Sequence, residues 1–143
     1  MGVASRPAVR EPRAAVTDTH PLLFHAAGRA RLGDKAAAFF KRCENRDTLV
    51  YVPVAVMWEC SLLSRAGKIK LRRSLRSFFD DLFSNPAYQP LEISPEQVFV
   101  ADESRFGRDP FDGLIVAAAR TMELPLITRD DNIIGSGQVK TIW

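Results

Sequence analysis

Short apolar runs of strand character recur between longer stretches of helical period, and this alternation limits the chain more than any other feature. The runs are "AAVT" (14–17), "TLVYVP" (48–53), "QPLEI" (89–93), "LPLIT" (124–128) and "VKTIW" (139–143). Between them lie segments whose apolar residues repeat at three and four positions, over 34–45, 54–66, 71–83 and 109–122. A strand followed by a helix and another strand closes most readily as a parallel pair with the helix packed on the sheet. The expectation is an α/β sandwich with a mainly parallel sheet. At 143 residues the chain suffices for one domain with a real core.

Local signals set the element boundaries. Residues 1–13, with Pro7 and Pro12, read as a loose leader, and 14–143 as the single domain. Pro21 is expected to open a short helix over "LLFHAAG". The helix over 34–45 would bury Ala36, Ala37, Phe40 and Cys43, and the next would run from Val54 to Ala66 and stop at Gly67. A stripe of Leu71, Leu75, Phe78, Phe79 and Leu82 predicts a helix over 71–83, with Arg72, Arg73 and Arg76 on its wet side. In "SPEQ", Ser94 is an N-cap, Pro95 opens the helix and Gln97 takes the capping-box position. "DDNIIGSG" (130–137) reads as a loop or one short turn.

Composition excludes several classes. Two cysteines, Cys43 and Cys60, stand apart from each other and from histidine, which argues against a zinc cluster or a disulfide framework. No apolar run is long enough to span a membrane and no signal-peptide core is present, so a cytoplasmic location is the default expectation. A net charge of +3 permits nucleic-acid binding without establishing it. There is no glycine-rich loop ending in Lys-Ser or Lys-Thr, which removes a P-loop nucleotide binder.

Four carboxylates stand where an ordinary core would not place them. In a parallel sheet, ligands bind beyond the carboxyl ends of the strands. Asp18 ends the first run and Asp130, with Asp131 in reserve, follows "LPLIT". Glu59 has Ala55, Val56, Leu62 and Leu63 at helical neighbour positions, so it falls on an apolar face. An ionised glutamate there costs several kcal/mol unless compensated, and Arg65, six residues on, faces away. Asp112 precedes Ile115 and Val116 on a buried stripe. Capping explains Asp109, before Pro110, and covers Asp112 as well, but not Asp18, Glu59 and Asp130. Clustered carboxylates repel unless a cation sits among them. Mg²⁺ or Mn²⁺ suits an all-oxygen site, which activates water and stabilises charge on a transferring phosphoryl group.

The same residues resemble those of the PIN-domain nucleases, closest to the toxin (VapC-like) ribonuclease of bacterial VapBC-type toxin–antitoxin systems. "TDTH" looks like the first aspartate motif, "VPVAVMWECSLLSRAGKI" like the helix bearing the second acid, and "RDPFDGLIVAAARTMELPLITRDD" like the third and fourth motifs together. The resemblance covers roughly residues 14–143. It implies a three-layer α/β/α sandwich around a mainly parallel sheet of four or five strands, and Mg²⁺- or Mn²⁺-dependent cleavage of RNA by Asp18, Glu59, Asp112 and Asp130. It also implies a homodimer and a small cognate antitoxin bound near the site. Asp109, Asp131, Thr17 and Thr128 are candidate auxiliaries, and His20 is given no catalytic role. Arg108 and Arg129 are the preferred phosphate contacts, ahead of Arg29, Arg31 and Arg105. Gly113 departs from the pattern, because many relatives carry arginine there. The helices at 34–45 and 71–83 are candidate partner surfaces, and Trp58 and Trp143 read as packing residues.

Other readings compete. A phosphoaccepting receiver domain wants an acid after the middle strand, where "YVPVAV" has none. A small Mg²⁺-dependent phosphatase wants a second aspartate two residues after Asp18, where His20 stands. A non-catalytic α/β binding module would use its acids only as caps and ion pairs.

Overall fold

The computed structural model describes residues 11–28, 31–106 and 109–143. Five strands form one sheet: β1 (Ala14–Thr17), β2 (Leu49–Pro53), β3 (Tyr88–Leu91), β4 (Leu126–Ile127) and β5 (Thr141–Ile142). Their spatial order is β3-β2-β1-β4-β5, and every pairing is parallel. Ala15, Val16 and Thr17 are buried in succession on β1. Successive side chains point to opposite faces, so both faces of this central strand are covered, as the three-layer arrangement requires.

Seven helices are described: α1 (Thr19–Ala26), α2 (Asp34–Glu44), α3 (Val54–Arg65), α4 (Leu75–Phe83), α5 (Pro95–Ser104), α6 (Pro110–Met122) and α7 (Asp131–Ser136). None is long and apolar enough to cross a membrane. The buried face of α2 is Ala36, Phe39, Phe40 and Cys43, with Phe39 taking the place expected of Ala37. Residues of α2, α3 and α6 join the strands in one apolar cluster, with Phe40, Val56, Ile115 and Val116 wholly enclosed. Cys43 and Cys60 are unbridged and buried, and burial pushes their thiols up to about 11 and about 12.

Three boundaries differ from those the sequence suggests, each through a cap. Helix α1 opens at Thr19, because the Asp18 carboxylate accepts the Thr19 N–H, and Pro21 lies inside the first turn. There its missing N–H costs nothing, since first-turn donors have no intrahelical acceptor. Helix α4 starts at Leu75 rather than near 71: Arg72 takes a left-handed φ of 63°, and the Ser74 hydroxyl caps the Ser77 N–H. The stretch after Asp130 is a helix rather than a loop. Asp130 accepts the N–H groups of Asn132 and Ile133, Ile133 is fully buried, and Gly137 closes it with φ 65°.

The topology places the site. From β1 the chain steps outward to β2 and β3, then returns across β1 to β4 and β5 on the other side. The direction of travel therefore reverses between β1 and β4, and a crevice opens at their carboxyl ends. The backbone ladder continues into it, with Asp18 N–H donating to Ile127 O at 3.0 Å and Thr128 N–H to Ile142 O at 3.2 Å.

Candidate active site

Asp18 is the first residue past β1 and is 9% exposed. One of its oxygens accepts the Thr19 N–H at 2.8 Å, and the other accepts the Thr128 hydroxyl at 2.8 Å. Burial pushes its carboxyl above the usual range, the two hydrogen bonds pull it down, and Asp130 adds repulsion. Thr128, the first residue past β4, is fully buried and also accepts the Asp130 N–H at 3.1 Å. One hydroxyl thus ties the first strand-end acid to the backbone of the second.

Glu59 projects from the middle of α3 and is half-buried. Arg65, on the same helix, lies over the Trp58 ring at 5.6 Å and does not compensate it. The Thr19 hydroxyl, which donates to Glu59 Oε1, compensates it in part, and His20 adds a smaller favourable interaction. Burial still raises the Glu59 carboxyl, and repulsion from Asp109 and Asp18 adds to it. Thr19 is a site residue that sequence reasoning did not single out. Trp58, expected to pack, has about half its surface (51%) open on α3.

Asp112 lies in the first turn of α6 with its side chain half-buried. Its carboxyl is pushed up to about 7, first by burial and then by the charges of Asp109, Asp18, Asp130 and Glu59. The other three predicted acids, and Asp109, thus act electrostatically on Asp112. Asp109 caps α6 by accepting the Phe111 N–H at 2.9 Å, and Asp130 caps α7. Asp18, Asp109, Asp112 and Asp130 all stand at helix N-termini, where the helix dipole offsets part of their charge.

The remaining candidates divide. Thr17 is fully buried and its hydroxyl donates to the Asp18 carbonyl, so it reaches the site through that backbone. Asp131 is exposed on α7 and enters none of the couplings that raise Asp18, Glu59 or Asp112. Arg105 ends α5 in a left-handed conformation, exposed. Arg129 is exposed between Thr128 and Asp130. Arg29 and Arg108 lie outside the described residues. Gly113 is buried, and a Cβ there would meet Ala101 of α5 at 3.7 Å.

Among the described residues, no three His, Cys, Asp or Glu side chains stand close enough to hold a metal ion as they are placed. The donor set fits a hard divalent cation nonetheless. It is all carboxylate oxygen, and repulsion among the acids adds to the burial that raises Asp18, Glu59 and Asp112. A cavity of about 950 Å³ lies elsewhere, between α2, α6 and β5, and none of these acids lines it.

Fold and crevice together define an α/β protein with a carboxylate centre at the switch point of a five-stranded parallel sheet. The chain belongs to the PIN domain family, a family of nucleases, whose pattern matches residues 15–135. No curated protein sequence matches it. Its fold is similar to that of VapBC2 from Rickettsia felis, solved bound to a DNA fragment from its promoter, at 16% identity and a TM-score of 0.64, covering 90% of this chain and 96% of that one. A toxin–antitoxin complex from Klebsiella pneumoniae is similar at 19% identity and a TM-score of 0.59, covering 87% and 94%. FitAcB from Neisseria gonorrhoeae is similar at 16% identity and a TM-score of 0.60, covering 89% and 95%.

Proposed function

We propose that the protein is a divalent-metal-dependent endoribonuclease, the toxin of a type II toxin–antitoxin pair. The observation that carries this reading is the gathering of Asp18, Glu59, Asp112 and Asp130 at one crevice of a PIN-family fold, with Asp112 pushed up to about 7 partly by the other three. Capping accounts for Asp18, Asp109 and Asp130, and the α6 dipole favours an acid at Asp112, but neither accounts for Glu59 in the middle of α3 or for the crowding of all of them at one crevice. A binding module whose acids only cap and pair would not keep four of them in mutual repulsion.

Asp18, Glu59, Asp112 and Asp130 would hold Mg²⁺ or Mn²⁺. When bound, the cation neutralises charge on the phosphoryl group and lowers the pKa of a nearby water. The chain's own residues supply the rest. Thr128 and the Thr19 N–H fix both oxygens of Asp18, so this carboxylate is preorganised. The Thr19 hydroxyl orients Glu59. Arg129, beside Asp130, is one proposed contact to a substrate phosphate, and Arg108 is the second. A small antitoxin bound near the site and a homodimeric state complete the proposal. The toxin–antitoxin assemblies among the similar folds support the former.

The test is cleavage of RNA by the purified chain, freed of any co-purifying protein, with Mn²⁺ or Mg²⁺ and with EDTA. Cleavage should need the cation, vanish in Asp18→Asn, and leave 5′-phosphate and 3′-hydroxyl ends. Ends bearing a 2′,3′-cyclic phosphate, or activity that survives EDTA, would sink the proposed mechanism.

A further inference from the structure

Beside the acids, the crevice has a rim of opposite character. Phe24 of α1 is half-buried, and two guanidinium groups gather on its ring. Arg129 Cζ stands 5.0 Å from the ring centroid and Arg31 Cζ 5.7 Å. Arg129 also reaches the Trp143 indole at 6.0 Å. The His20 ring lies 6.0 Å from Phe24, tilted by 53°. Among the described residues neither Arg31 nor Arg129 forms an ion pair. Two like charges brought to one ring repel, and at an exposed site the ring face offsets only part of that repulsion.

The rim is continuous with the acids. Arg129 is flanked by Thr128, which donates to Asp18, and by Asp130, which caps α7. His20 adjoins Thr19, which donates to Glu59. Trp143 is fixed rather than loose. Its carbonyl accepts the Ala36 N–H at 2.8 Å, and a Cβ on Gly33 would fall 2.6 Å from its ring.

We infer that Phe24, Arg31 and Arg129 form the track for single-stranded RNA beside the bond to be cut, a step that rests on the nuclease reading of the acids. Drawn onto the phosphates, the arginines uncover the Phe24 ring, which takes a base. Alternating cations and rings suit an unpaired strand, because every base has a π-face and every linkage a charge. A duplex keeps its bases stacked on one another and offers the rings nothing. An acidic protein segment would answer the charges but would not need the ring.

The test uses the full chain and a fluorescein-labelled ten-nucleotide RNA, single-stranded or closed into a hairpin. Anisotropy in EDTA gives affinity, and cleavage with Mn²⁺ gives KM and kcat. Phe24→Leu should weaken single-strand binding about tenfold and raise KM more than it lowers kcat. Phe24→Tyr should restore both, and hairpin binding should not change. Arg31 is exposed, so Arg31→Gln tests the track without touching the core; it should lower the salt dependence of log K by roughly 0.7. If the wild type binds or cuts RNA while Phe24→Leu and Arg31→Gln behave like it, the track is wrong and the nuclease reading stands. If those variants keep their RNA affinity and lose only a co-purifying protein, the rim is a protein contact and the track is overturned. If the wild type neither binds nor cuts any RNA, the nuclease reading falls and the track falls with it.

Discussion

Thr128 is fully buried, and its hydroxyl serves two acids, donating to Asp18 and accepting the Asp130 N–H. Valine has the same shape and neither capacity. Thr128→Val should therefore destabilise the fold by about 1–3 kcal/mol, the cost of leaving buried polar groups unpaired. It should also cut cleavage sharply, while Thr128→Ser stays near the wild type. Thermal melts and single-turnover cleavage check this, and a valine variant as stable as the wild type would refute it. The residue scale is also where the sequence was most readable. Glu59 and Asp112 stand out because a carboxylate at the helical spacing of an apolar face is an anomaly that something must resolve. Thr19 carried no such signal. A hydroxyl next to a strand-end aspartate is ordinary, and only the distant placement of α3 makes it a partner for Glu59.

At the scale of elements, caps decided what apolar periodicity left open. The stripe of Leu71, Leu75, Phe78, Phe79 and Leu82 is real, and Leu71 does pack on the core. The helix nevertheless begins only after Arg72 turns left-handed and Ser74 supplies a cap. The stretch after Asp130 has too few residues for periodicity to register, yet its aspartate cap and buried Ile133 make it a helix. Helix α6 was readable throughout, because Asp109, Pro110 and the run from Ile115 to Ala119 all point the same way. Its Gly113 gives a test of packing against propensity. A Cβ there would meet Ala101 at 3.7 Å, ordinary contact distance. Gly113→Ala should then stabilise the protein by roughly 0.5–1 kcal/mol through helix propensity alone. Gly113→Arg should destabilise it, because a long side chain must part α5 from α6. A lower melting temperature for the alanine variant would mean that the two helices are closer than ordinary contact allows.

On the scale of the whole molecule, the decisive fact is that β1 and β4 are neighbours, and no local pattern encodes it. Residues 18 and 128 are brought together by the order of strands, not by spacing in the chain. The sequence permitted that order without selecting it. The consequence is a fold that concentrates negative charge at one pole, although its net charge is +3. Asp18, Glu59 and Asp112 all have carboxyls raised above their ordinary values, Asp112 to about 7. A raised carboxyl means that the folded state holds protons the unfolded chain has released. Its stabilising effect is complete below about pH 4 and is lost as pH rises through the folded value. Between roughly pH 5 and 8 the metal-free protein should therefore lose stability at these sites as pH increases. Asp112→Asn removes the group with the stated value near 7, so it should flatten the decline and melt higher than the wild type at pH 8. Because Asp112 is half exposed, solvent screening limits the gain to on the order of 1–2 kcal/mol. Mn²⁺ should lift the wild type at pH 8 more than at pH 5, since protonated carboxylates are poor ligands. It should lift Asp112→Asn less. Melting curves in EDTA and in Mn²⁺ across that range decide the matter. A metal-free stability that is flat or rises from pH 5 to 8, with no response to Mn²⁺, would mean that these acids are not in mutual repulsion, and the cation-binding reading would lose its physical basis.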